Sequence, residues 1–212
     1  MKPITTPKER MLKKIRNALI EKRENPYPEI EPTPLYPEPE GSLDIMFAEE
    51  LTKVSGQFVY CENELQFVEN LLTLSAEKKW QHICCWENKL QTLLRNCEFP
   101  FQANDHNFEE TEAGITLCEA LIARNGSVLM SSAQSSGRRL SVFPHAHIVV
   151  AWSGQLVTDL KDGFRLLKEK YGDKVPSYTG IITGPSRTAD IEKTLVLGAH
   201  GPRELYVFLL ES

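Results

Sequence analysis

The chain has 212 residues, 41% of them hydrophobic and 25% charged, and a formal net charge of −5. This length has room for one sizeable α/β domain, or for one domain with an appendage, and the composition is typical of a soluble globular protein. No apolar run approaches the ~20 residues that a membrane-spanning helix needs. Since the first residues also lack the apolar core of a secretory signal, we expect a cytoplasmic protein without a membrane span.

The N-terminal residues are basic and predict an amphipathic helix. Residues 1–24 carry eight Lys or Arg against three Glu, so the acidic charge belongs to the rest of the chain. The pattern predicts a helix over residues 7–23, with Thr6 as the N-cap and Pro7 at its first position. Two arrangements of this helix stay open: packing against its own domain, or docking to a partner protein. The acidic remainder is unsuited to nucleic acid, whose binding depends on neutralising phosphates.

A proline-rich segment follows the helix. Residues 25–41 contain six prolines interleaved with glutamates, which favours extended polyproline II and cannot bury a core. We therefore divide the chain into an N-terminal part, residues 1–42, and a globular domain, residues 43–212. Tyr27, Leu35 and Tyr36 are open to two interpretations: contact with a neighbouring subunit of a homo-oligomer, or contact with the surface of the same chain.

The globular part predicts strands that alternate with helices, which is typical of an α/β domain with a mainly parallel sheet. Helices are predicted at residues 43–54, 62–79, 87–95, 115–124 and 158–171, the last with Leu160, Phe164, Leu167 and Tyr171 turned inward. Strands are predicted at residues 57–61, 80–86, 127–131, 148–152, 178–183 and 205–210. The polar residues 98–114 predict an irregular loop, either simply solvated or forming a lid over a site.

The cysteines do not predict a metal or disulfide site. They are odd in number and lack C-x-x-C spacing, so we expect mostly small buried hydrophobic side chains. Cys84 and Cys85 are adjacent on a predicted strand and would point to opposite faces, which prevents them from ligating one metal together.

Two segments in the middle of the chain have residue types that suit an anion or a proton donor. Residues 131–139 combine small residues with Gly137, Arg138 and Arg139, which lets backbone N–H groups approach an anion closely. The alternative is a flexible connection whose arginines balance the acidic domain. His145 and His147 lie two apart, so on a strand they would share a face. Without a third ligand they are a weak metal signal, and each has either a hydrogen-bonding or acid–base role or a structural one.

Residues 183–192, TGPSRTADIE, are the most distinctive stretch. Gly184 and Pro185 predict a tight turn, after which Ser186 or Thr188 would cap a short helix. Free N–H groups at such a helix start, with the fixed cation of Arg187 beside them, would hold a carboxylate or a phosphate. In the alternative interpretation Arg187 pairs with Asp190 or Glu192, and the glycines merely turn the chain.

The run GPSRTADIE, followed by GAHGP at residues 198–202, resembles the C-terminal signature of the LUD-domain family. Upstream, GSVL at 126–129, GRRLS at 137–141 and PHAHIV at 144–149 fall in the order and spacing of that family. The resemblance covers roughly residues 43–212. It implies a Rossmann-like three-layer α/β fold, similar to the group that contains ribose-5-phosphate isomerase and the CoA transferases.

The resemblance also implies a function. Lactate-utilisation members of the family are thought to oxidise L-lactate to pyruvate together with iron–sulfur partner proteins. This chain has no cluster-binding cysteine run and no GxGxxG fingerprint, so it fits an accessory subunit without a cofactor of its own, beside partners that carry the clusters. Its catalytic residues are left open. The residues expected to bind a small carboxylate substrate, around one cleft, are Gly137, Arg138, His145, Ser186, Arg187, Thr188, His200 and Gly201.

One departure from the family's pattern bears on the chemistry. Arg124 stands where members commonly have a glutamate, and in CoA transferases of the related fold a glutamate accepts the acyl group. Carboxylate chemistry is therefore not available at this position. Two further functions stay open: a stand-alone enzyme acting on a sugar phosphate or an acyl-CoA through the same cleft, or a regulatory and interaction module that binds through residues 1–41.

Overall fold

The structure is a computed structural model, and it describes residues 6–20, 36–136, 138–191 and 194–211. The chain divides into two compact units, Met1–Glu38 and Pro39–Ser212. The helices are α1 (Pro7–Ile20), α2 (Leu43–Lys53), α3 (Glu64–Lys78), α4 (Asn88–Asn96), α5 (Arg139–Val142) and α6 (Leu160–Tyr171). The strands are β1 (Gln57–Cys61), β2 (Ile83–Cys85), β3 (Ala113–Leu117), β4 (Ala120–Ile122), β5 (Ser127–Ser131), β6 (Ala146–Trp152), β7 (Leu156–Val157), β8 (Thr179–Ile182), β9 (Arg187–Ile191), β10 (Thr194–Leu197) and β11 (Glu204–Leu210).

The first unit contains α1, whose start is fixed by a reciprocal cap. The amide of Glu9 donates to Thr6 Oγ1 at 3.2 Å, and the amide of Thr6 donates to the Glu9 carboxylate at 2.8 Å. This capping box satisfies two backbone donors that a helix start leaves unpaired, and it confirms Thr6 as the N-cap. The predicted end of this helix, and residues 25–35 of the predicted proline-rich segment, lie outside the described residues.

The second unit is built on a five-stranded sheet in the order β1-β11-β6-β3-β2, in which every neighbouring pair is parallel. β6 is buried on both faces over most of its length, which explains its continuous apolar run IVVA at 148–151. On one face, α3 and α4 pack through Phe67 and Leu90 against Ile148 and Phe208.

The other face of this sheet is covered by α2 and by a second sheet in the order β7-β4-β5-β8. Phe47 and Leu51 of α2 pack with Val128 of β5 against Val149 and Val207 of the central sheet. The three layers confirm the predicted α/β fold with a mainly parallel, Rossmann-like sheet. In the described residues, no helix is long and apolar enough to cross a bilayer.

Most predicted elements of this unit are confirmed, but the helix predicted at residues 115–124 is wrong. The strands at 57–61 and 127–131 have the predicted bounds, and α2, α3, α4 and α6 end within two residues of theirs. Residues 115–124, predicted as a helix, instead form most of β3, then β4 and a short 3-10 helix, Ala123–Asn125. Side chains on both faces of these strands are buried, so apolar and polar residues do not alternate along the run. Without that alternation, the sequence pattern does not distinguish a strand from a helix. Phe164, predicted to face inward, is 46% exposed.

Candidate functional site

Three segments that are distant in the sequence are tied together by backbone hydrogen bonds. The amide of Ser186 donates to the carbonyl of Pro202 at 2.8 Å, and the amide of Gly198 donates to the carbonyl of Ser186 at 2.8 Å. The amide of Arg203 donates to the carbonyl of His145 at 2.8 Å. The GPSR and GAHGP runs therefore meet each other, and Arg203, which directly follows the second run, binds the PHAH run.

The predicted short helix after Ser186 is wrong. Residues Arg187–Ile191 form β9, which pairs antiparallel with β10; Arg187 lies opposite Leu197, and Thr188 opposite Val196. The β-branched residues of this segment favour a strand. Because the amide of Ser186 is already bonded to Pro202, it is not a free helix-start donor for an anion.

Arg187 is anchored to the end of α2. Gly184 has a φ of +79°, and a β-carbon added there would lie 2.3 Å from the carbonyl oxygen of Val54, so the turn requires glycine. Arg187 Nη2 donates to that same carbonyl oxygen and, at 3.0 Å, to Ser55 Oγ. In the described part of the chain, the other two guanidinium nitrogens have no hydrogen-bond partner. The side chains of Asp190 and Glu192, the alternative partners, lie outside that part.

A cavity of about 360 Å³ opens beside these segments. Four predicted site residues line it: Ser186, Arg187, His200 and Gly201. Arg187 and His200 are exposed, so they lie at its rim. Its apolar wall includes Ile182 of β8 and Leu205 of β11, hence it lies between the two sheets. A volume of this size suits a small organic ligand.

His147 also lines this smaller cavity and is fully buried. Its Nε2 lies 2.8 Å from Thr116 Oγ1 in a hydrogen bond. Its Nδ1 is buried and has no hydrogen-bond partner among the described residues. Burial lowers the pKa of His147 to about 3, since the charged ring loses its hydration, so the imidazole is neutral near pH 7.

A second, larger cavity of about 1170 Å³ adjoins the first, because His200 and Gly201 line both. Besides His200, the basic side chains that line it are Arg138, Arg139 and His145. Its acidic lining comes from the predicted loop at residues 98–114, in the side chains of Asp105, Glu109 and Glu110.

Arg139 is largely engaged within this larger cavity. Its Nη1 lies 3.2 Å from a carboxylate oxygen of Asp105, and its guanidinium lies 4.3 Å from the ring centroid of Phe108. Arg138 stacks on Tyr178 at 5.1 Å. The amides of Ser135 and Ser136 donate to the buried carboxylate of Glu87, at 3.2 and 3.1 Å. The backbone donors of these two serines, in the loop predicted to hold an anion, therefore already bind an internal carboxylate.

The larger cavity lies at an unusual edge of the sheet. Its lining comes from residues 105–110, 138–145 and 198–201, which precede β3, β6 and β11 respectively. Ligands of open α/β sheets usually bind beyond the carboxyl ends of the strands. Here the cavity lies beyond the amino ends of three parallel strands.

The remaining predicted site residues have mixed outcomes. His145 and His147 do not share a site, because His145 precedes β6 and lines only the larger cavity, whereas His147 lines only the smaller one. Thr188 lies on β9 and lines neither cavity. Gly137 lies outside the described residues. Tyr178 and Thr183 also line the smaller cavity but are not among the predicted site residues, although Thr183 begins the distinctive stretch 183–192.

Arg124, the departure from the family's pattern, forms an ion pair away from both cavities. Its Nε donates to Asp159 Oδ1 at 2.5 Å and its Nη2 to Asp159 Oδ2 at 3.3 Å. The Arg124 hydrogen bond lowers the pKa of the Asp159 carboxyl. Asp159 is the N-cap of α6, so Arg124 joins the β4–β5 connection to that helix.

The cysteines behave as small buried side chains, as predicted. All five are free thiols, and Cys97 alone is half-buried rather than buried. Burial raises the pKa of Cys85 to about 12, so its thiol stays protonated and is a poor metal ligand. Within the described ranges, no group of three or more His, Cys, Asp or Glu is arranged to hold a metal ion.

A sequence model of one protein family, described as the LUD domain, matches residues 46–210. The chain belongs to the LUD domain family. This match confirms the resemblance that the GPSRTADIE and GAHGP runs carry. It also includes every segment that lines the two cavities.

Several curated relatives carry the name Lactate utilization protein C. The protein from Bacillus licheniformis is 33% identical over 120 residues, which is 54% of this chain and 50% of the relative. The Bacillus velezensis protein is 34% identical over 136 residues, 62% of this chain and 53% of the relative. The Bacillus subtilis protein is 30% identical over 158 residues, which is 73% of this chain and 62% of the relative. The matches thus span about half to three-fifths of the relatives' length.

Among solved structures, the chain is similar to a DUF162 family protein from Deinococcus radiodurans. The superposition has a TM-score of 0.55 with 16% identity, and it covers 79% of this chain and 96% of the other. At this level of identity the likeness shows the fold alone. It agrees with the three-layer α/β arrangement described above.

Proposed function

We propose that this LUD-domain chain takes part in lactate utilisation, as a subunit that binds a small carboxylate and works with iron–sulfur partner proteins in the oxidation of L-lactate to pyruvate. The name shared by the curated relatives supports this role. Because the chain spans only 50%, 53% and 62% of those relatives, their activity is carried over here as part of the proposal.

The observation that carries the proposal is the convergence of Ser186, Arg187, His200 and Gly201 on one cavity of about 360 Å³. Arginine binds carboxylates through paired, charge-assisted hydrogen bonds, and it keeps its charge at every physiological pH. Two nitrogens of Arg187 remain for such a ligand in the described structure. A 2-hydroxy acid of three carbons is small enough for this space.

The cysteine positions support a subunit whose electron acceptors lie in other proteins. Oxidation of L-lactate to pyruvate releases two electrons and two protons, which need an acceptor. Iron–sulfur clusters are usually held by four cysteine thiolates. The five cysteines here lie on separate elements, apart from the neighbours Cys84 and Cys85 on β2, so they do not fit a cluster. Binding the acid is then the part that this chain performs.

The proposal is tested by reconstitution. The purified chain is assayed for L-lactate oxidation alone, and then together with the iron–sulfur proteins that co-purify with it. We expect no turnover by the chain alone and turnover by the assembly, with Arg187→Ala reducing it at least about tenfold, since a charge-assisted bond contributes this much. Arg165→Ala is the matched control, because Arg165 is an exposed arginine of α6 that lines neither cavity. Full lactate oxidation by the isolated chain would contradict the proposal.

The larger cavity favours one alternative function, a stand-alone enzyme for a sugar phosphate or an acyl-CoA. The specific observation is its volume of about 1170 Å³ together with Arg138, Arg139 and His145. A ligand that binds only the native state raises the unfolding temperature, so a panel of sugar phosphates and CoA esters separates the two functions. A shift that Arg138→Ala abolishes and Arg187→Ala preserves would favour the alternative.

A further inference from the structure

One residue that lines the smaller cavity has a buried polar atom without a partner in the described part of the chain. His147 is fully buried, and its Nδ1 has no hydrogen-bond partner among the described residues. Native proteins leave few buried polar atoms unpaired, because such an atom loses its bonds to water and gains nothing in return. Since His147 also lines the cavity, the partner of Nδ1 is expected to come from the cavity's contents.

The ring cannot readily turn this atom away. Nε2 is held by Thr116 Oγ1 at 2.8 Å, and Thr116 is itself fully buried on the neighbouring strand β3. His147 lies in register with Gly114 on one side and Leu205 on the other, so no charged side chain flanks it on the sheet. The ring is therefore fixed between two strands, and the groups that face it across the cavity decide what binds there.

A neutral imidazole bonded to a hydroxyl can present either of two tautomers. If Thr116 donates to Nε2, then Nδ1 carries the proton and donates to a ligand oxygen such as a carbonyl. If Nε2 donates to Thr116, then Nδ1 is an acceptor for a ligand hydroxyl. Because a threonine hydroxyl serves both cases, one histidine is suited to both a hydroxyl and a carbonyl at the same place.

We propose that His147 Nδ1 binds the oxygen on carbon 2 of a small acid whose carboxylate is held at the rim by Arg187. This inference rests on the proposed function and names the substrate class more narrowly: 2-hydroxy acids and the matching 2-oxo acids. His147 acts here as a specificity-determining residue. Its low basicity, which follows from complete burial, makes it a hydrogen-bonding group and not a strong base.

Two substitutions of His147 separate a ligand contact from a structural role. The amide of Asn reaches approximately the position of Nδ1, so His147→Asn keeps a polar group towards the cavity and loses the bond to Thr116. The amide of Gln reaches approximately the position of Nε2, so His147→Gln keeps the bond to Thr116 and loses the group at the cavity. A residue that matters only for packing would not distinguish the two variants in ligand selectivity.

The test is calorimetric titration of the full chain with L-lactate, pyruvate and propionate, which shares the carboxylate but has no oxygen on carbon 2. We expect the wild-type chain and His147→Asn to prefer L-lactate and pyruvate over propionate by about tenfold, the effect of one hydrogen bond. We expect His147→Gln to bind all three acids alike. Thermal unfolding of each variant checks that the chain remains folded.

Each outcome decides between the claims. Equal binding of the three acids by the wild-type chain would overturn this inference and leave the proposed function standing. If folded His147→Gln kept the preference for L-lactate and pyruvate over propionate, the inference would also be overturned. Nδ1 of the wild-type ring would then not contact the ligand, and its partner would be an ordered water. If none of the three acids binds, the proposed function fails and the inference fails with it.

Discussion

Ser186 lies directly against Gly201. A β-carbon added to Gly201 would be 3.1 Å from Ser186 Cβ and 3.3 Å from Ser186 Oγ, closer than ordinary van der Waals contact. Because Gly201 has no side chain, Ser186 can occupy the position next to it. The GPSR and GAHGP runs depend on each other through this contact as well as through their backbone hydrogen bonds.

Gly201→Ala is expected to displace Ser186 and to cost about 1–3 kcal/mol of unfolding free energy, the usual range for overpacking. Denaturation with urea measures the loss. Placing Ser186→Gly in the same chain removes the side chain that the new methyl group meets, so the two substitutions together should cost less than the sum of their separate effects. Strict additivity of the two substitutions would contradict the contact.

Gly184→Ala is expected to be more damaging, at about 2–4 kcal/mol, because it combines a left-handed backbone with a clash. The added β-carbon would lie 2.3 Å from the carbonyl oxygen of Val54. Gly172→Ala is the matched control, since Gly172 also has a positive φ but has no atom within 4 Å of the added carbon. Equal losses for the two variants, measured by urea denaturation, would show that the approach to Val54 is unimportant.

The carboxylate of Glu119 is a buried charge held by three partners. Ser131 Oγ, Lys170 Nζ and Tyr171 OH donate to it at 2.5, 2.8 and 2.9 Å. Burial alone would raise the pKa of Glu119, but these hydrogen bonds outweigh it and the pKa is lowered. The ionised carboxylate therefore joins α6 to the sheet formed by β4 and β5.

Glu119→Gln is accordingly expected to destabilise the fold by about 1–3 kcal/mol, because an amide cannot accept all three hydrogen bonds. Glu169→Gln on the same helix is the control, since Glu169 is exposed and its single ion pair has an N–O distance of 4.0 Å. Its effect should stay within about 0.5 kcal/mol, as for most surface substitutions. Comparable losses in the two variants, from thermal or urea unfolding, would contradict a structural role for the buried carboxylate.

His147 makes stability depend on pH. Its pKa falls from 6.5 to about 3 on burial, so between these values the unfolded chain binds a proton that the folded chain does not. Stability contributed by the neutral ring is complete above pH 6.5 and is lost as the pH falls towards 3. The loss approaches about 1.4 kcal/mol for each pH unit.

The pH effect is measured as a difference, because carboxylates such as Glu119 also titrate at low pH. Unfolding free energies of the wild-type chain and of His147→Asn are compared between about pH 5 and 7.5, a window that includes the ordinary titration of histidine. We expect the wild-type chain to lose more stability than the variant as the pH falls. Parallel curves for the two proteins would contradict the burial of a neutral imidazole.

The sequence predicted those parts of the fold whose signals are local. Thr6 and Glu9 specify the start of α1 within four residues, and the apolar and aromatic residues Phe58, Val59 and Tyr60 favour the strand β1. Residues 115–124 misled the prediction because both faces of their strands are buried. The same continuous apolar pattern fits a buried helix equally well.

The sequence pointed to candidate site residues by their type, but it did not predict their environments. Arg187 binds Ser55, which lies 132 positions earlier in the chain, and no local pattern announces that contact. The amides of Ser135 and Ser136 bind Glu87 across a gap of 48 to 49 residues. His147 carried a usable signal, since it is a polar residue at the start of a buried apolar strand, but only the three-dimensional structure shows that its Nδ1 lacks a partner.

The most direct test of small-carboxylate binding in the smaller cavity is calorimetric titration of L-lactate into the full chain and into Arg187→Ala, with Arg165→Ala as the control. We expect one binding site per chain in the wild-type protein and in Arg165→Ala, and an affinity at least about tenfold lower in Arg187→Ala. The absence of measurable heat in the wild-type chain, or an unchanged affinity in folded Arg187→Ala, would contradict the assignment of the cavity.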